Sequence, residues 1–191
     1  KNKFKREILD IIREDDPEMD NLFPYDPRFE ENRKHGENPR RLCKLIREDS
    51  LHEFQQYVDS NNLNLFMTIK PSLFETNPFL LSRETTLVEY AIFYGSLNIL
   101  KFLYENQVEL TSSLWIYSVH SQNINAIHFI EQKSFKVKEK VFIYAMLEAV
   151  RCLHKNVADY IMDNYIKYHN LHIEGQIALQ SIKDFNYEFF P

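Results

Sequence analysis

The apolar positions of the chain repeat most clearly in two consecutive blocks, Leu87 to Leu110 and Leu114 to Val137, which lie in a register of 27 residues. Each block holds two short apolar stripes at helical spacing, separated by a polar turn, which is the pattern of two amphipathic helices. A third copy begins at Val141, with Tyr144 and Ala145 in step. The positions paired across the two blocks include Leu87 with Leu114, Tyr90 with Tyr117, Ala91 with Ser118, Phe102 with Phe129, and Leu103 with Ile130. This pattern predicts a repeated αα-hairpin.

Helices of about eight or nine residues are unstable in isolation, because too few hydrogen bonds follow the costly first turn. The hairpins are therefore predicted to stack, with Leu103 and Ile130 filling the space between units. Two segments, Thr86 to Glu89 and Ser50 to Glu53, have the spacing of a capping box, in which a hydroxyl and a carboxylate satisfy the first N–H groups of a helix. Helices are expected to start at both.

The pattern predicts an N-terminal part, 1–39, followed by divergent helical repeats over 40–191. The first part would contain a helix carrying the stripe Phe4, Ile8, Ile11 and Ile12, and then a proline-rich strap from Glu18 to Pro39 that is extended or rich in turns. The repeats would cover about 40–84, 85–112, 113–139 and 140–191.

Two irregularities interrupt the repeat. Residues 61–84 contain prolines that exclude one continuous helix, and their apolar side chains either form a binding loop or pack back onto the helices. In the third unit, four additional residues are expected between Glu148 and His154, which would lengthen its helices. A last helix is predicted after Asn170.

The run from Gly95 to Leu110, GSLNILKFLYENQVEL, resembles the second half of an ankyrin repeat. The first half departs from that pattern, since TLVE at Thr86 replaces the usual Thr-Pro-Leu-His and the period is 27 rather than about 33. Four further segments are similar to a poorly characterised helical domain that precedes ankyrin arrays in anaerobic parasitic protists: Phe23 to Pro27, Leu45 to Ser50, Ile69 to Phe79 and Ser113 to Tyr117. The resemblance implies a divergent ankyrin-like solenoid with shortened β-turn fingers, in which further ankyrin repeats follow and no catalytic residues are supplied.

Composition narrows the function classes. The 191 residues carry a net charge of −5, which offers no overall attraction for nucleic acid or anionic membranes. Only 3 glycines are present, which disfavours phosphate-binding loops, and the two cysteines are too far apart in sequence to suggest a disulfide framework or a thiolate zinc site. With no 18-residue apolar run either, the expectation is a reduced, intracellular and most simply cytoplasmic monomer.

The chain lacks the short motifs of the common hydrolases, nucleotide-binding proteins and zinc proteases. We therefore expect no enzyme activity, no cofactor and no metal site. One alternative is a metal or catalytic module, which would require His154, His169 and His172 to converge. His120 and His128 are expected to form hydrogen bonds or face solvent.

A second alternative is a nucleic-acid-binding repeat. It would require two basic clusters to share one face: Arg40, Arg41, Lys44 and Arg47, and Lys133, Lys136, Lys138 and Lys140. The preferred interpretation is a scaffold that binds another protein. In ankyrin repeats the concave surface comes from the first helix and the turn before the second. The matching positions here, and hence the candidate partner-binding residues, are Glu89, Phe93, Tyr94, Ile116, His120 and Ser121. The competing interpretation is that the two aromatic residues pack against neighbouring helices.

Overall fold

The computed structural model describes residues 29–133, 137–166 and 171–186, in which eleven helices account for most of the regular structure. These are α1 (Phe29–His35), α2 (Arg41–Arg47), α3 (Leu51–Ser60), α4 (Pro78–Leu81), α5 (Leu87–Tyr94), α6 (Leu97–Glu105), α7 (Leu114–Ser121), α8 (Ile124–Gln132), α9 (Glu139–Arg151), α10 (Lys155–Tyr165) and α11 (Leu171–Lys183). Strands β1 (Thr68–Ile69) and β2 (Thr85–Thr86) form one short antiparallel ladder. The chain is therefore mostly helical, as the periodicity predicts. The predicted helix at Phe4 to Ile12 lies outside the described residues.

The helices pack as two rows. Helices α2, α5, α7, α9 and α11 lie side by side in that order, and α3, α6, α8 and α10 each pack against the helix that precedes them in sequence. Leu103 and Ile130, on α6 and α8, are buried in the apolar core that runs through the stack. Small Ala91 and Ser118 are fully buried in the first row, where they allow helix backbones to approach closely. Burial between pairs gives these short helices the stability that they lack alone.

The same turn recurs after each helix of the first row. One residue in each turn adopts a left-handed conformation. In four of the five turns the N–H group of the following residue donates to the carbonyl of the residue five positions before it, so that a carbonyl at the end of the helix has a partner. The left-handed residues are Asp49, Gly95, Gln122, Leu153 and Phe185, with φ between 47° and 70°. The turns after these five helices are therefore alike in conformation, including the turn after α2, which lies in the predicted repeat 40–84.

A hydrogen bond from each of the last four turns reaches the preceding unit. In every case the residue after the left-handed position donates from its side chain to a backbone carbonyl at the C-terminal end of the neighbouring first-row helix. The bonds are Ser96 Oγ to Ile46 O (2.5 Å), Asn123 Nδ2 to Gly95 O (2.9 Å), His154 Nδ1 to Val119 O (2.8 Å) and Asn186 Nδ2 to Val150 O (2.6 Å). We call this series the inter-unit ladder. It supplies donors to carbonyls at helix ends, where the regular helical bonds run out.

Gly95 is the one glycine among these five turn positions. Its φ is 70°, and a Cβ atom at this position would lie 2.9 Å from Cβ of Asn123. The close approach lets Asn123 bond to the Gly95 carbonyl, so glycine is required here for both its conformation and its size.

The turns correct the predicted register of the third unit. His154 follows Asn123 by 31 residues, and with this shift Ala149 matches Ser118 and Ala91. The prediction that Tyr144 matches Tyr90 and Tyr117 is wrong, because Tyr144 is 48% exposed whereas both others are buried. The four additional residues lie in the first part of α9 and not after Glu148. Since four residues make about one helical turn, the apolar stripe looks nearly the same in either register.

The two predicted capping boxes have different outcomes. Thr86 forms the complete box, in which its hydroxyl accepts from the Glu89 N–H and the Glu89 carboxylate accepts from the Thr86 N–H at 2.9 Å. Ser50 precedes α3 as predicted, but its side chain makes no capping bond. Its ψ of 74° differs from the extended 161° of Thr86, so the hydroxyl is not directed at the helix.

The predicted strap and insertion are more structured than their composition indicates. Phe29–His35 is helical rather than extended, and Phe29 packs edge-on against Phe74 with ring centroids 5.3 Å apart. In the insertion, Leu80 is buried and Phe79 contacts Tyr117 at 4.8 Å, whereas Leu73 is 67% exposed. The insertion therefore packs back onto the helices for most of its apolar side chains.

Truncation of the inter-unit core should destabilise the protein strongly. We expect Leu103→Ala and Ile130→Ala each to lower the free energy of unfolding by about 2–5 kcal/mol, since both side chains are buried and each truncation leaves a cavity. Urea denaturation followed by circular dichroism measures the loss. Ile124→Ala on the same helix α8 is the control, because Ile124 is 47% exposed. Equal losses at Ile124 and Ile130 would contradict this packing.

The inter-unit ladder predicts a separate effect for Asn123. Asn123→Ala removes the bond to Gly95 O and also the side-chain cap of the Asn125 and Ala126 N–H groups, so we expect a loss of about 1–2 kcal/mol. The exposed neighbour Asn125 gives the matched control Asn125→Ala, with little change expected. Chemical denaturation of both variants tests this, and the ladder interpretation fails if they unfold at the same denaturant concentration.

Candidate functional site

Three successive turns of the first row line one open groove of about 450 Å³. The groove lies at the C-terminal ends of α5, α7 and α9, and the short segment before α4 closes one side of it. Its lining residues are Asn77, Phe93, Tyr94, His120, Ser121, Cys152 and His154. We call it the turn groove. Stacking of the units thus brings side chains that are 27 and 31 residues apart in sequence to one surface.

The His120 ring is held firmly in this groove. Its side chain is only 5% exposed and lies between Phe93, with ring centroids 4.4 Å apart and nearly parallel, and Phe79 at 4.7 Å. Nε2 of His120 lies 2.8 Å from Oε1 of Glu148. Nδ1 of His120 contacts Sγ of Cys152 at 3.6 Å. His120 is therefore buried and held by polar contacts, whereas the exposed His128 pairs through Nδ1 with Glu131 at 2.5 Å.

Glu148 is the charged centre beside the groove. Because of the register shift it occupies the position that Tyr90 and Tyr117 hold in the preceding units, and its side chain is 13% exposed. Nε of Arg151 donates to its Oε2 at 2.9 Å, and Nη2 of Arg151 contacts its Oε1. Burial alone would raise the pKa of this carboxyl, but His120 and Arg151 outweigh burial and hold the pKa at about 2. Glu148 is thus an anion at neutral pH.

The Cys152 thiol completes the cluster. Sγ lies 3.6 Å from Nδ1 of His120 and 3.8 Å from Oε1 of Glu148. Burial, reinforced by the charge of Glu148, raises the pKa of the thiol to about 12. The sulfur therefore keeps its proton at neutral pH, which does not suit a nucleophile, because the thiolate is the reactive form.

Four of the six predicted partner-binding residues come together in the turn groove: Phe93, Tyr94, His120 and Ser121. Phe93 is buried at 6% exposure and Tyr94 is half-buried, so the packing interpretation holds for Phe93, while Tyr94 lies partly open. The two predicted helix positions, Glu89 and Ile116, do not line the groove.

Glu89 and Ile116 have structural surroundings instead. Glu89 accepts from Thr86 in the capping box, and its Oε1 accepts from the Ser113 hydroxyl at 2.8 Å, which links α5 to the start of α7. Ile116 is half-buried against the apolar core. The contacts of both side chains therefore stabilise the stack rather than form a free surface.

Sequence reasoning did not include Cys152, His154 and Asn77 in the site. The repeat pattern could have identified Cys152, because Cys152, Ser121 and Tyr94 occupy equivalent positions, 31 and 27 residues apart. That equivalence becomes visible only with the correct register of α9. Asn77 comes from the insertion, and no repeat pattern could have placed it there.

Among the described residues, two members of the predicted basic clusters are held in contacts within the protein. Arg47 is engaged by Glu37 at 2.9 Å, by the Asn38 carbonyl and by the Tyr90 hydroxyl. Lys133 lies over the Tyr104 ring instead of joining the cluster on α2. Lys136, His169 and the side chain of His172 lie outside the described residues.

The low pKa of Glu148 predicts a pH-dependent stability. A carboxyl whose pKa is lower in the folded state stabilises the protein above its usual pKa of 4.5, and this contribution is lost as the pH falls towards 2. Glu148→Gln should therefore lower the free energy of unfolding by about 1–3 kcal/mol at neutral pH, with a smaller difference at pH about 3. Urea denaturation across this range tests it, with the exposed Glu105→Gln as control. A difference that stays constant with pH would contradict the ion-pair assignment.

Comparison with known proteins adds no identification. No family model matches the chain, and neither the curated proteins nor the solved structures contain a match. Within the described residues, no helix has the length and apolar character needed to cross a membrane. The likeness to ankyrin repeats therefore depends on the quoted segments alone.

Proposed function

We propose that this protein is an ankyrin-like helical solenoid that binds another protein through the turn groove and catalyses no reaction of its own. The observation that carries the proposal is the convergence of equivalent turn positions from three units in one groove. Ankyrin repeats use the corresponding surface to bind partners, and the resemblance at Gly95 to Leu110 supports the same use here.

The geometry of the groove supports a macromolecular partner. Its volume of about 450 Å³ is open to solvent along the row of turns, and it offers Tyr94, Ser121 and Asn77 as side chains with both polar and apolar atoms. A half-buried tyrosine presents a large, rigid surface at low entropic cost, and tyrosines contribute strongly to protein interfaces. Phe93 and His120 beneath it supply a preformed floor, since their rings are stacked.

We propose no catalytic activity because the side chains at the turn groove lack the protonation states that catalysis requires. Its thiol holds its proton, and the ion pair between Glu148 and Arg151 leaves no carboxyl with the raised pKa that general acid catalysis requires. Binding of nucleic acid is less well supported, because Arg47 and Lys133 are held in contacts within the protein.

Comparison of two tyrosine variants tests the proposal. Tyr94→Ala should reduce capture of the partner protein from an extract of the source cell by at least about tenfold, as expected for loss of an interface anchor worth more than about 1.4 kcal/mol. Quantitative mass spectrometry of the captured proteins, with the wild-type chain as reference, measures the change.

The matched control is Tyr104→Ala, since Tyr104 is 40% exposed but lies on α6, away from the groove lining. Circular dichroism first establishes that both variants retain the helix content of the wild type. A partner captured equally by the wild type and both variants would reject the turn groove as its binding site.

A further inference from the structure

We propose that His120, Glu148 and Cys152 form a binding site for one divalent transition-metal ion, with Zn²⁺ as the preferred ion. The site goes beyond partner binding and does not depend on it. Imidazole nitrogen, thiolate sulfur and carboxylate oxygen are the three ligand types that zinc takes in proteins. The three side chains come from adjacent helices of the first row, α7 and α9, and the cluster meets the turn groove at His120 and Cys152.

The spacing of the three side chains suits a tetrahedral ion. Bonds of about 2.3 Å to sulfur and about 2.0 Å to nitrogen or oxygen place the sulfur about 3.5 Å from each of the other ligand atoms. Sγ of Cys152 lies 3.6 Å from Nδ1 of His120 and 3.8 Å from Oε1 of Glu148, and one donor atom from each of the three residues lies within 4.8 Å of the other two. The sulfur–nitrogen distance is therefore already close to that of a shared ion, and Glu148 would join it by rotation of its carboxylate away from Nε2.

The His120 ring is prepared for this role. The rings of Phe93 and Phe79 pack against the imidazole ring, and the His120 side chain is only 5% exposed. Its Nε2 atom lies 2.8 Å from Oε1 of Glu148, whereas Nδ1 is the ring nitrogen that lies beside Sγ of Cys152. Nδ1 is therefore the nitrogen that we assign to the ion.

The local field favours a cation. Helices α7 and α9 both end at this cluster, and the C-terminal end of a helix carries partial negative charge. Glu148 adds a full negative charge. This environment retains the proton on Cys152, and a metal ion would displace it: the S–H bond breaks, the S–metal bond forms, and the proton passes to solvent.

Arg151 is the group that could oppose binding, and its two contacts have different consequences. The contact between Nη2 and Oε1 must open, because Oε1 is the oxygen nearest Cys152. The bond from Nε to Oε2, at 2.9 Å, can remain and orient the carboxylate from outside the metal shell. Three protein ligands leave a fourth position for water or for a side chain of a partner in the groove.

Cobalt titration of the reduced, chelator-treated full chain tests the site. Co²⁺ is the probe, since thiolate ligation gives an intense near-ultraviolet charge-transfer absorption. We expect saturation at one ion per chain, displacement by Zn²⁺, and release of one proton per ion in weak buffer. Cys152→Ser should abolish the absorption, and Glu148→Gln should weaken Co²⁺ binding by at least about tenfold.

The other cysteine and an exposed histidine provide matched controls. Cys43→Ser and His128→Ala should bind Co²⁺ as the wild type does, because neither residue belongs to the cluster. Circular dichroism confirms folding of each variant. If Cys152→Ser fails to fold, the Co²⁺ affinity of Glu148→Gln tests the site instead. The proposal is overturned if the wild type shows no charge-transfer absorption at saturating Co²⁺. Absorption that persists in Cys152→Ser, or unchanged affinity in Glu148→Gln, would overturn it as well.

Discussion

Packing between successive units is the constraint on which the rest of the structure depends. Helices α5 and α7 have eight residues each, too few to be stable in water without tertiary contacts. They persist because the first row buries one face of every helix against the next and the second row covers the side. The inter-unit ladder adds polar contacts to this apolar packing, since each of its bonds joins a side chain of one unit to a backbone carbonyl at a helix end of the preceding unit.

The ladder also explains the choice of residue after each left-handed turn. Serine, asparagine and histidine differ in size, yet each presents a donor at the distance of the neighbouring unit. His154 is the clearest case. Its donation to the Val119 carbonyl fixes Nδ1 as the protonated nitrogen, so a histidine that looks like a metal ligand in the sequence has a structural bond.

The turn groove results from the same stacking. Equivalent turns must lie side by side if equivalent helices do, so any side chain placed just before a turn faces its counterparts in the adjacent units. The turns after α5 and α7 place Phe93, Tyr94, His120 and Ser121 there, whereas the turn after α9 places Cys152 and His154. The groove is therefore aromatic at one end and holds a thiol and an imidazole at the other. Repeat proteins with similar backbones can bind different partners because the side chains on their surfaces differ.

The sequence by itself determined the helical class, the paired blocks, the capped start at Thr86 and the burial of Leu103 and Ile130, because these follow from local periodicity and capping chemistry. The resemblance to ankyrin repeats placed Phe93, Tyr94, His120 and Ser121 on one surface, where they line the turn groove, but it also placed Glu89 and Ile116 there, and these two do not. Only the tertiary structure decided the register of α9, because a shift of one helical turn leaves the apolar stripe almost unchanged and only contact with α7 distinguishes Glu148 from Tyr144. The cluster of His120, Glu148 and Cys152 depends on that register. It brings together residues 28 and 32 positions apart whose proximity no local pattern records.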